Sequence, residues 1–222
     1  MKYLKRYNEN FKGFANVDTS QEAFNRCQNL SEDEFLKILR ENCKNFSLSN
    51  DLLYRNKEYS GDFQLFKPYK RRANPVTFPK FFNRIEDDSN YPVKRKLSLI
   101  GGTNPSFISD LFRDKMTSNS DSDFTVYIVI PFDNSKIVFC PVPDLLFLDD
   151  RTKEEYVSGE PVSDKNFVMV EYTKDFKIPE EELSKLPGHK SSHSGYEFFT
   201  SSNCLLIQES YFITLAGTLN QI

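Results

Sequence analysis

The sequence predicts an α+β domain built on a largely antiparallel or mixed sheet. Three observations predict it. One strong helix signal comes early, in "LSEDEFLKILRENC" at 30–43. After it, segments rich in β-branched and aromatic residues dominate, and these favour strands. Helical and strand patterns do not alternate regularly, as a parallel βαβ sheet requires. The dinucleotide fingerprint GxGxxG and the phosphate loop GxxxxGK[ST] are missing as well, which argues against a doubly wound nucleotide fold.

The elements follow in order. Residues 1–30 are polar with scattered Phe and Tyr, and are expected to be partly helical. Ser31 and Glu34 then form a capping box, with Leu30 and Phe35 placed as a hydrophobic staple. Phe35, Ile38 and Leu39 repeat on one face, so this helix should cover a sheet. "NFSLSN" ends it in a loop. "DLLYR" at 51–55 reads as a short strand delivering Arg55. Residues 56–96 read as irregular, broken by Pro68, Pro75, Pro79 and Pro92, with one helical segment at "PKFFNRIEDD".

"LSLIGGT" at 97–103 reads as a strand and turn. "PSFISDLFRDKM" carries Phe107, Leu111 and Phe112 at helical spacing, and Pro105 suits its start. "SNSDSD" is a polar loop. "FTVYIVIPF" at 124–132 is the strongest strand signal, and "KIVFCPV" follows after "DNSK", which suggests a hairpin. "NFVMVEYT" is a further strand and "IPEEELSKL" a short acidic helix or turn. "YEFFTSSNCLLIQESYFITLAG" at 196–217 predicts two or three closing strands.

Composition narrows the function classes. The 222 residues fit one domain, and 38% are apolar, with 21 Phe and 11 Tyr. A chain of this size buries roughly 70% of its extended surface, so a real core is expected. The net charge of -3 gives no drive toward bulk nucleic acid or anionic membranes. No apolar run approaches the ~20 residues that span a bilayer. The basic start "MKYLKRYNENFKGFANVD" lacks the apolar core of a secretory signal. Cys27, Cys43, Cys140 and Cys204 form no CxxC pair. They read as reduced thiols of a cytoplasmic protein, not zinc ligands.

Several clusters have an ordinary reading beside a functional one. His189 and His193 sit among Pro187, Gly188, Gly195 and three serines, and read as loop residues. A nuclease would use them for acid–base work. Lys70, Arg71, Arg72, Lys94, Arg95 and Lys96 are basic, with Tyr69 and Tyr91 nearby. They read as a solvated face, or as the surface of a host-takeover binding protein. Arg55, Ser98 and Glu197 taken singly read as an edge-strand charge, an outward strand residue and a strand-start residue; taken together they form a set. Each is polar among apolar strand neighbours.

In order, these three residues resemble the Arg–Ser–Glu signature of mono-ADP-ribosyltransferases, in particular phage and viral relatives. The resemblance runs from about residue 30 to 215. It rests on "LYR" 53–55, "VKRKLSLIGGT" 93–103, "VYIVIPFDNSKIVFCPVPD" 126–144 and "YEFFTSSNCLLI" 196–207. It implies a split two-sheet fold over residues 51–222, with residues 1–50 as an N-terminal helical segment packed on it. It also implies NAD as substrate, bound in a cleft between two small sheets, and a host protein or nucleic acid as acceptor of ADP-ribose.

The roles carried over are also implied by the resemblance. Arg55 would bind the dinucleotide phosphates, which suits a bidentate guanidinium. Ser98 would orient the nicotinamide-side ribose or the glutamate. Glu197 would accept a hydrogen bond from the ribose 2′-hydroxyl and stabilise the oxocarbenium-like state, as glycosidase carboxylates do. Thr103, Asn104 and Phe107 would line the nicotinamide pocket, and Arg72 would contact phosphate or acceptor. One position departs from the pattern. Arginine-directed transferases carry an acid or glutamine two residues before the catalytic glutamate, where this chain has Gly195. Glu209 in "IQESYF" is the other candidate acid.

Overall fold

The structure is a computed structural model. It describes residues 27–58, 61–68, 99–105, 124–139, 168–185 and 195–220. Local chemistry starts the first helix, α1 (Glu32–Asn42), where the sequence places it. The Ser31 hydroxyl accepts from the Glu34 amide at 3.4 Å, and the Glu34 carboxylate accepts from the Ser31 amide at 2.9 Å. Both halves of the capping box are therefore present. Leu30 packs on the same apolar cluster as Phe35, Leu36 and Leu39. Full burial of Phe35 is worth about 2–3 kcal/mol relative to an exposed ring.

The strands are β1 (Cys27–Asn29), β2 (Leu53–Glu58), β3 (Phe63–Phe66), β4 (Leu99–Gly102), β5 (Phe124–Pro131), β6 (Lys136–Phe139), β7 (Val168–Glu171), β8 (Glu197–Thr200) and β9 (Cys204–Gln208). Two further helices are α2 (Glu180–Ser184) and α3 (Glu209–Leu219). The strand order is β1-β3-β9-β5-β2-β4-β8-β6-β7, and every ladder is antiparallel. The α+β class with a largely antiparallel sheet is as the sequence predicts.

The nine strands divide into two halves. In the five-strand half, β2 pairs with β5 from Leu53↔Val129 to Glu58↔Phe124. Between the halves, β2 and β4 share one register pair, Tyr54↔Gly102. The outer face of the five-strand half carries Phe63, Leu65, Ile128, Ile130, Leu205 and Ile207. It packs under α1 and under Phe212, Leu215 and Leu219 of α3. Its other face carries Leu53, Phe66, Tyr127, Val129, Cys204 and Leu206. These pack with Leu99, Ile137, Phe139 and Phe198 of the four-strand half, and with Tyr172, Phe176 and Leu183. This second core runs along one face of the sheet, from β3 across the β2/β4 join to β6.

Four local expectations change. Residues 27–29 form strand β1 within the stretch expected to be partly helical, because they pair with β3 at the sheet edge. β3 lies inside the stretch read as irregular. Its four residues are all buried, so it shows no alternation to detect. β5 and β6 are not hairpin partners, for β5 pairs with β2 and β9 while β6 pairs with β7 and β8. The connecting loop is drawn elsewhere. The Asp133 amide donates to Asn42 O at 2.8 Å and its carboxylate accepts from the Lys44 and Asn45 amides at 3.0 and 2.7 Å. The Asn134 amide, on a residue at φ 60°, donates to Tyr172 O at 3.0 Å. Lastly, "ESYFITLAG" is helix α3, not a closing strand. Its aromatic and β-branched content favours a strand, but burial of Phe212, Leu215 and Leu219 on one helix face outweighs that preference.

Candidate functional site

The join between the halves gathers the polar groups of interest. It exists because Gly101 has no side chain. A Cβ at Gly101 would overlap the Tyr54 carbonyl oxygen, and would lie 2.7 Å from Phe198 Cε1. Phe198 is the register partner of Gly101 and covers it with its ring. The next pair along the ladder is Gly102↔Glu197. Tyr54, Gly102 and Glu197 therefore form one cross-strand row, with β2 and β8 about 10 Å apart across β4.

Glu197 opens β8 and is 5% exposed. A buried carboxylate is costly unless its surroundings compensate, so its position is constrained by more than solubility. Tyr54, in the same row, packs beside the outer core. Burial, with Glu209 nearby, holds its phenol above the ordinary range, so it stays a neutral hydroxyl at physiological pH. Glu209, the alternative acid, begins α3 and is half-buried.

Arg55 comes to the same join from the other face. Strand alternation puts it with Leu53 and Lys57, toward the second core. Its guanidinium lies 5.4 Å above the Phe66 ring and donates to Ile100 O of β4 at 3.5 Å. The structure thus brings the Arg55 and Glu197 strands together but turns the two side chains to opposite faces. Burial is the main cause that raises the Cys204 thiol, and Arg55 acts against it.

Thr103 and Asn104 follow β4 beside the start of β8. The Thr103 hydroxyl accepts from the Tyr196 amide at 2.9 Å, and the Thr103 amide donates to Tyr196 O at 3.0 Å. This continues the β4–β8 ladder past its last regular pair. The contact also accounts for Gly195. A Cβ there would lie 2.9 Å from Asn104 Cβ and 3.3 Å from Thr103 Oγ1. Any side chain at 195 would have to displace Asn104.

Ser98, Arg72 and Phe107 lie outside the described residues. So do His189, His193, Cys140 and the basic run with Lys70, Arg71, Lys94, Arg95 and Lys96. One polar residue escaped the sequence reading. Asn56 of β2 is 6% exposed, and its Oδ1 has no hydrogen-bond partner. The available signal was an amide side chain two residues beyond Tyr54 in a strand, on the same face. Among the described residues, no group of three or more His, Cys, Asp or Glu could hold a metal ion, and no helix is long and apolar enough to cross a membrane. Cys27, Cys43 and Cys204 carry free thiols. The chain matches no protein-family model, no curated protein and no solved structure.

Proposed function

We propose that the protein is an ADP-ribosyltransferase-like enzyme of the split two-sheet kind. It would cleave NAD at the nicotinamide–ribose bond and pass ADP-ribose to a host macromolecule. The observation that carries this reading is Glu197, a buried carboxylate at the start of β8, in the row that crosses the join of two half-sheets. The motif order Arg55, Ser98, Glu197 supports it.

In this reading Glu197 accepts a hydrogen bond from the ribose 2′-hydroxyl. Its charge stabilises the cationic sugar as nicotinamide leaves with the electron pair of the broken C–N bond. A fixed negative group aimed at developing positive charge is a strong catalytic device. The acceptor nucleophile then bonds to the anomeric carbon and loses its proton. Thr103 and Asn104 flank the start of β8, where the nicotinamide end would lie. Arg55, held over the Phe66 ring on the opposite face of the sheet, has no part in this reading as the join stands. The crowding at Gly195 points to an acceptor other than arginine.

The test is nicotinamide release from NAD by purified protein, with Glu197→Gln beside it. The variant is expected to lose at least about a hundredfold in rate while keeping its thermal midpoint. Equal release by both proteins removes Glu197 from the chemistry. No NAD-dependent rise in the midpoint of the wild type removes the reading altogether, since a ligand bound only by the native state must raise it.

A further inference from the structure

We draw no further inference here: the strongest candidate, the uncharged outer face of α3 that exposes Ile213, is a helix face for which nothing in the structure shows what covers it.

Discussion

The five-strand half and the β2/β4 join are built on different principles. In the five-strand half, β2, β5, β9 and β3 pair along their lengths, and two helices cover the outer face. Its central buried amide, Gln64, is matched. Gln64, fully buried, donates to Gly61 O at 2.6 Å and to the Tyr127 hydroxyl at 3.1 Å, and accepts from Lys57 Nζ at 2.6 Å. The join has one register pair, a glycine under a ring, a buried carboxylate and an orphan amide oxygen. The difference teaches where to look for function. Long ladders and two helices hold the five-strand half, while the join brings a buried carboxylate into a row across a single β2/β4 pair.

That contrast can be broken in three ways. The largest effect belongs to the five-strand half. Phe35→Ala removes a fully buried ring that lies 5.1 Å from Phe63, and should cost about 4 kcal/mol in chemical denaturation. A loss below about 1 kcal/mol would mean that the helix-covered core is not the main source of stability. Next comes the join. Gly101→Ala drives a methyl group into the Tyr54 carbonyl and the Phe198 ring, and should cost about 3 kcal/mol. For a chain of this length that is about 10 °C in Tm. On the proposed reading it should also weaken NAD binding, since it spreads the strands of the join. An unchanged midpoint would show that β2 and β4 do not approach so closely.

The smallest effect is at the start of α1. Ser31→Ala should cost about 1 kcal/mol. Glu34 adds a pH signature. Its hydrogen bonds from the Ser31 amide and hydroxyl hold its carboxyl below the usual range. A depressed carboxyl stabilises the fold above its ordinary pKa, and that contribution is lost as pH falls through the lowered value. The difference between wild type and Ser31→Ala should therefore shrink in acid. If it grows instead, the capping box is not the source.

The α1 helix and its cap were legible because the signal is local. Ser31, Glu34 and Phe35 lie within one turn, and no distant residue is needed to place them. β5 was legible from its β-branched and aromatic run, and β4 from "LSLIGGT". α3 was misread because its side chains favour strand in isolation, and only packing on the outer face decides otherwise. β3 was missed because burial on both faces erases the alternation that marks a strand.

The site divides in the same way. By itself the sequence determined which polar residues stand in apolar strands, Arg55 and Glu197 among them. The tertiary structure decided who pairs with whom. It separated β5 from β6, set Tyr54 rather than Arg55 in the Glu197 row, and packed Gly195 against Asn104. The physical reason is range. Propensity and capping act over a few residues of chain, whereas strand order and the face a side chain meets depend on partners tens of positions away. Those are chosen by burial of both sheet faces at once.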